Sequence, residues 1–487
     1  MAQQLVAPLA APCRGAPASR RRPVVARVAA APAGQNGGGK ADGVEVHREM
    51  MSWLARQGLP EQGVELCDQT GFQMKGYPMG VTVASRDLAA GETALSVPVD
   101  LCVTLDRVFE DSTMAELLTT EKVSELASLT LYLCYEKRLG AESEIAPFIR
   151  ELDRQRARGQ QAVPSPLLWS ADEVDTLLQG SPVVGQIRER LEMMRKEYDE
   201  LDTVWYMASA LFNKYPFDPP TEAFSFDVFK QAFCAVQASV VHLRGADVPM
   251  SQRFAIVPMG PPMCQYKSNS RAAFAYNPAS KSVDLTVDVP YARGEAVAAW
   301  CGPQPNSKLL INYGICNDDN PFDTLPLTAQ ISQNDPLLNV KRAALKAGGM
   351  STRQDFKLSR QSPVPEQLLP FLRLAHAETP EEVAAVSLEG AGAPANPHNE
   401  SLAVSHLVGH LRARLSAYPT TVEMDRIMEQ DPRASAKQRV AARLVRIEKE
   451  ILQAGLDQAL GLGAAPHEGT YLFVTLSVPG GDAALCG

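Results

Sequence analysis

Strand-like sequence stands on both sides of a long helical stretch, and this interruption limits the folds open to the chain more than any other feature. Gly80–Ala84 and Glu92–Val99 alternate and are rich in β-branched residues, so they read as strands joined by a turn at Ala90-Gly91. Strand character returns only between Phe254 and Tyr313, in "RFAIVPM", "SVDLTVDV" and "YARGEAV", the last with a turn at Gly294-Glu295. From about residue 106 to about 250 the pattern is helical. Leu126, Leu129 and Leu133 share a face, Ser170 and Glu173 have capping-box spacing, and "IRERLEMMRKEYDELDTVW" is amphipathic and laced with charge. Two β segments that flank a helical insertion make one interrupted domain, not two beads.

From about residue 323 the chain reads as mainly helical. "EQLLPFLRLAHA" is one candidate helix, and "SAKQRVAARLVRIEKEIL" is another, with Val440, Leu444, Ile447 and Ile451 on one stripe. The end, "YLFVTLSVPGGDAALCG", has the look of a strand without an evident partner.

Charge and cysteine usage exclude several classes. A formal net charge of −9 argues against general nucleic-acid binding, which needs an excess of Lys and Arg for phosphate contact. No apolar run reaches the roughly 20 residues of a membrane helix. The nine cysteines contain no C-x-x-C pair and no zinc spacing, so they read as mostly buried thiols of a reducing compartment, or of one where thiols can be regulated. The first forty residues differ from the rest. Arg14, Arg20, Arg21, Arg22 and Arg27 precede the first acid, Asp42, in an Ala- and Pro-rich context. That is the pattern of an organelle transit peptide, or of a basic tail.

"AAWCGPQPNSKLLINYGICNDDNPFD" poses the functional question: an apolar run ends on Tyr313 beside Gly314, with Trp300 thirteen residues upstream. A phenol there can do chemistry or fill a core. Together with "GVTVASRDLAAGETALSVPVDL", "FAIVPM", "LLPFLRLAHA" and "YPTTVEMDRIM…RVAARLVRIEKEIL", in this order, the segment resembles plant and algal chloroplast SET-domain proteins of the Rubisco large-subunit lysine methyltransferase family. The resemblance runs from about residue 60 to about 455, and "WCGPQPN" suggests a branch distinct from the Rubisco enzyme itself.

The resemblance implies an α+β fold: a SET-domain β core of small sheets with a helical insertion, followed by an all-helical C-terminal domain. It divides the chain into a transit peptide and linker at 1–43, a SET domain at 44–322 with its insertion at about 106–250, a helical substrate-binding domain at 323–460 and a tail at 461–487. It implies S-adenosyl-L-methionine as cofactor and no metal, an accessible lysine of a chloroplast protein as substrate, a monomer in the stroma, and no nucleic-acid or membrane partner. Tyr313 takes the place of the family's catalytic tyrosine, a phenol at a strand end that lines up amine, methyl and sulfonium. Only a neutral amine attacks the methyl, and a lysine's ordinary pKa is about 10.4, so a dry channel and a nearby cation must lower it.

The implied cofactor residues are Met79, Gly80, Ser239, Met263, Cys264 and Gln265, and this chain departs from the family pattern around each. Only Gly80 matches the glycine-rich turn, Gln237-Ala238-Ser239 replaces an Arg-Ser-Arg run, Pro261 stands at an Asp, and Cys264-Gln265 at an Asn-His. Side-chain losses of about 0.5–1.5 kcal/mol each would weaken donor binding by about 30- to 1,000-fold, unless Tyr77, Gln265, Lys267 or Asn269 replace them. Trp300 replaces a second family tyrosine and either walls the substrate channel or fills core. His406 and His410 read as a solvated helix face, Asp318 and Asp319 as turn caps, and Arg443, Arg446 and Lys449 as a solvated basic face or a docking surface. Two functions stand: a protein-lysine N-methyltransferase, or a catalytically weak or inactive SET-fold scaffold that binds proteins in the plastid.

Overall fold

The computed structural model describes residues 42–74, 77–118, 123–155, 163–207, 225–243, 248–249, 253–462 and 474–478. The basic N-terminal stretch and most of the tail lie outside them, as does Gly76.

Helix α1 (Asp42–Arg56) stacks Trp53 on Phe148, with ring centroids 6.4 Å apart. Strand β1 (Val64–Met74) then pairs antiparallel with β2 (Tyr77–Ala84), setting Asp68 opposite Gly80. The sequence suggests that β2 is followed directly by a strand neighbour across the Ala90-Gly91 turn. Instead β3 (Thr93–Pro98) leaves for another sheet. The intervening loop bonds elsewhere: Leu88 exchanges backbone hydrogen bonds with Tyr291, and Gly91 donates to Val287 O at 2.8 Å.

Helices α2 (Leu105–Glu110), α3 (Ser112–Leu117), α4 (Glu125–Leu139), α5 (Ala146–Gln155), α6 (Ala171–Leu177), α7 (Val183–Met207) and α8 (Phe226–Ser239) form the insertion. Their starts are written in the sequence. Ser124 caps α4 and Ser225 caps α8, and the Ser170–Glu173 capping box on α6 has both of its hydrogen bonds.

The second β segment closes the core. Strand β4 (Val240–His242) pairs with β5 (Phe254–Ile256), and β6 (Gln265–Lys267) lies parallel to β9 (Ala298–Trp300). Strands β7 (Phe274–Asn277) and β8 (Ser282–Thr286) complete a sheet in the order β3-β8-β7. Helix α9 (Asn306–Tyr313) follows β9.

The C-terminal region departs from an all-helical arrangement. Strand β10 (Leu325–Ile331) sits between β11 (Arg353–Leu358) and β12 (Val474–Ser477), so the strand-like tail finds its partner 143 residues away in the register Ile331 opposite Val474. Between and after β10 and β11 come α10 (Leu338–Ala347), α11 (Leu368–Ala375), α12 (Pro380–Ala385), α13 (Pro397–Ser416), α14 (Val422–Gln430) and α15 (Ala436–Gly461). The stripe of Val440, Leu444, Ile447 and Ile451 is buried.

Three surface expectations are corrected here. Arg446 and Lys449 are not solvated; they are 7% and 3% exposed. Arg446 pairs with Glu429, Asp318 and Glu450, and Lys449 pairs with Asp425 and donates to Thr420 O at 2.8 Å. Charges can be buried here because each meets an opposite charge or a carbonyl. Asp318 is thus an anchor for Arg446 and Arg360, and Asp319 accepts from Asn269 at 2.5 Å. His406 is buried, its ring 3.0 Å from that of His376, and burial holds it near pKa 4; His410 is held near 3. Helix α13 packs against both α11 and α15, which buries His406 and partly buries His410.

Candidate functional site

Tyr313 ends a helix, not a strand. Leu309, Leu310 and Ile311 are a short apolar run, which by periodicity alone does not separate the two. Asn306 decides the matter. Its side chain is 0% exposed; it donates to Asp323 Oδ2 at 2.8 Å and Asn317 O at 2.9 Å, and accepts from Asn317 N at 3.0 Å. Its own N–H bonds Asp323 Oδ1 at 2.8 Å. The start of α9 is therefore tied to the loop that follows it.

Gly314 explains the second half of the Tyr-Gly pair. Its φ of +67° is the left-handed C-cap that glycine adopts without strain, and its N–H returns to Leu310 O at 3.0 Å. Val163 donates to Gly314 O at 2.8 Å, and a Cβ on residue 314 would lie 1.7 Å from Val163 O. The helix end, and with it Tyr313, is locked against the insertion.

Tyr313 is half-buried, and burial raises its pKa against the opposing effect of a hydrogen bond from Gln304. Gln304 Nε2 lies 3.3 Å from the phenol oxygen and 2.7 Å from Cys301 O. The ring of Tyr266 on β6 leans on that of Tyr313, with centroids 4.7 Å apart and planes at 47°. Tyr266 turns its own hydroxyl away, to Val240 O at 3.4 Å. One phenol is thus a wall and the other keeps its hydroxyl at Gln304.

The sequence-implied cofactor residues separate into groups. Gly80 on β2 is buried two residues before Thr82, whose N–H reaches Met263 O at 3.1 Å and whose hydroxyl reaches Met259 O at 2.7 Å. So the strand that carries Gly80 is bonded to the turn that carries Met263. Cys264 is buried with its thiol 3.4 Å from Val297 O, and burial pushes that thiol up to about 12. Gln265 sits on β6 half-buried, next to Tyr266, and its amide makes no hydrogen bond to another described residue. Ser239 is also buried, but its hydroxyl donates back to Ala235 O at 2.7 Å within α8. The side chain of Met79 lies outside the described residues.

Trp300, at the end of β9, lies opposite Lys267 and has its ring 6.2 Å from that of Phe322, which is 39% exposed. It contributes to an aromatic surface one residue from Cys301. Sequence reasoning missed Gln304, Asn312 and Tyr266. Gln304 sits in "GPQPN", a stretch whose prolines and glycine read only as a loop, and Tyr266 carried no periodic signal in a three-residue strand.

Comparison with known proteins finds similar folds and relatives. A crystal structure of the SET domain of LSMT bound to lysine and AdoHcy superposes with a TM-score of 0.67 at 20% identity, covering 86% of this chain and 93% of that one. The fold is that of Rubisco LSMT. A structure of Rubisco LSMT bound to AdoMet gives a TM-score of 0.62 at 18% identity over the same shares. Residues 332–452 match the family described as Rubisco LSMT substrate-binding. Among curated relatives, actin-histidine N-methyltransferases of Mus musculus and Xenopus tropicalis are each 24% identical, over 84% of this chain and 68% and 69% of theirs. In the LSMT-like frame the "YPTT" motif knits the C-terminal region. Tyr418 donates to Glu448, Thr420 donates to Asp425 at 2.7 Å, and Thr421 caps α14.

Among the described residues, no group of three or more His, Cys, Asp or Glu could hold a metal, and no helix is long and apolar enough to cross a membrane.

Proposed function

We propose that this chain transfers a methyl group from S-adenosyl-L-methionine to a side-chain nitrogen of a protein, with lysine as the target, in the chloroplast. The observation that carries the reading is the Tyr313 hydroxyl, held by Gln304 at the end of α9 against the aromatic wall of Tyr266 within an LSMT-like fold. When bound, S-adenosylmethionine supplies an electrophilic methyl. The amide of Gln265, which bonds no other described residue, can both donate and accept beside the turn of Met263 and Cys264. The faces of Tyr266 and Tyr313 suit a cation, sulfonium or alkylammonium alike. This set fits the donor without the acidic and basic side chains that Pro261 and Ser239 replace.

The chain's residues then have distinct tasks. Tyr313 orients the incoming nitrogen, Tyr266 narrows the approach and excludes water, and the region of residues 332–452 supports recognition of a protein substrate. The basic N-terminal segment supports plastid import.

A second reading has its own support. The curated relatives carry the name actin-histidine N-methyltransferase, and an imidazole is a nitrogen nucleophile that is already neutral at pH 7. Calorimetric titration with S-adenosylmethionine tests the shared claim. Binding with micromolar to low millimolar affinity is expected; no heat at millimolar donor would leave the protein-binding scaffold.

A further inference from the structure

A continuous run of side-chain hydrogen bonds ends on Tyr313. Arg190 of α7 donates to Gln237 Oε1 at 3.4 Å, and Gln237 Nε2 donates to Asn312 Oδ1. Asn312 Nδ2 donates to Gln304 Oε1 at 3.0 Å, and Gln304 Nε2 donates to both Cys301 O and the Tyr313 oxygen. The members come from the insertion, from α8, from α9 and from the loop before it.

The polarity of this run is forced by its two ends. A guanidinium can only donate and a backbone carbonyl can only accept. Cys301 O, 2.7 Å from the Gln304 amide, requires nitrogen there, so the oxygen of Gln304 must face Asn312. Asn312 then presents nitrogen to Gln304 and oxygen to Gln237. Gln237 in turn keeps its oxygen for Arg190. The Gln304 backbone is also fixed, since Asn320 Nδ2 donates to its carbonyl at 2.9 Å. No amide in the chain can flip without stranding a partner, and a stranded buried polar group costs about 1–3 kcal/mol.

We propose that Gln304 is the positioning residue of the Tyr313 hydroxyl, held in that role by Asn312, Gln237 and Arg190 through a one-way run of hydrogen bonds. Because Gln304 donates to the phenol oxygen, the phenol's own proton cannot lie along that line. It points to another side of the oxygen, and the oxygen keeps one acceptor site. This rests on the methyl-transfer reading for its use, where a hydroxyl of fixed direction aligns the target nitrogen. The run itself stands on geometry alone. It also makes Arg190, three side chains away on the insertion, part of the site's support.

The test separates the two claims by reading the phenol directly. The full chain is labelled with 3-fluorotyrosine, and the Tyr313 fluorine resonance is assigned by its loss in Tyr313→Phe. Tyr266 and Cys301, the titratable groups facing Tyr313, are retained in every variant. Gln304→Met removes the donor and is expected to raise the Tyr313 pKa, because the lost hydrogen bond favours the phenolate. Gln237→Glu, three hydrogen bonds from the phenol, reverses the polarity by offering only acceptors and is expected to shift the same resonance. With methyl donor and substrate, Gln304→Met should lower kcat about tenfold while KM for the donor changes less than about twofold, the pattern of lost orientation. A Tyr313 resonance and pKa unchanged in both variants, with wild-type melting, would overturn the assignment. If the resonance responds but the wild-type protein transfers no methyl group, the positioning role stands and the methyl-transfer reading falls.

Discussion

Tyr418 donates its hydroxyl hydrogen to Glu448 Oε2 across 2.9 Å, inside the C-terminal region and out of reach of solvent. The other oxygen of the same carboxylate accepts from Ser181 of the helical insertion, also at 2.9 Å. One acid therefore joins the two halves of the molecule. The approach there is so close that a Cβ on Gly180, which has φ of +85°, would lie 2.8 Å from Ala417 O.

Burial pushes Glu448 up to about 7 against the effect of these two donors and of Arg414, with Asp323 also facing it and opposing its charge. The folded state therefore binds this proton more tightly than the unfolded chain does. Stability from this group is fully present below the ordinary glutamate range and is lost as pH rises toward 7, by on the order of 3 kcal/mol. We predict that Glu448→Gln melts with a smaller drop between pH 5 and pH 8 than the wild type does. Equal drops in thermal melts would count against the buried charge.

His406 and His410 work in the opposite direction. Burial holds them near 4 and near 3, the second also opposed by Arg414 and His406, so the fold keeps both neutral. The unfolded chain takes up protons near 6.5, and stability is complete above that value and falls as pH drops toward 4. Replacing His410 with Phe should shift the acid-unfolding midpoint, followed by circular dichroism, to lower pH.

Gly314→Ala should be among the most damaging single substitutions in the chain. It combines a positive φ with a Cβ placed 1.7 Å from Val163 O. A loss of more than about 3 kcal/mol, or failure to fold, is expected in chemical denaturation. Gly91→Ala meets nothing within 4 Å and bears only the strain of its own φ of +86°, so it should cost far less.

Target identity has a kinetic signature. If lysine is the nucleophile, the rate at saturating donor should climb as pH rises from 7 toward 9, because the amine starts protonated. A histidine target would level off above about pH 7. Rate profiles on substrate peptides that differ only in that residue decide between them.

Much of the architecture is readable in the residues because it rests on local patterns. The interrupted β core, the capped helix at Ser170 and the buried stripe on α15 follow from spacing and capping chemistry. What was not readable rests on distant partners. The strand at Val474–Ser477 is understood only beside β10, and Arg446 and Lys449 look solvated until Glu429, Asp318 and Asp425 are brought to them. At the site, the Tyr-Gly pair is visible as a motif. Its helical setting depends on Asn306 and Asp323, seventeen residues apart, and the Gln304 contact on a loop whose direction no periodicity encodes.

Methyl transfer from labelled S-adenosylmethionine into chloroplast proteins, compared between the wild-type chain and Tyr313→Phe, tests the central claim most directly. Labelling of one or a few proteins by the wild type, reduced at least about 100-fold by loss of this single oxygen, is the expected result. Equal labelling by both would contradict the role given to the Tyr313 hydroxyl.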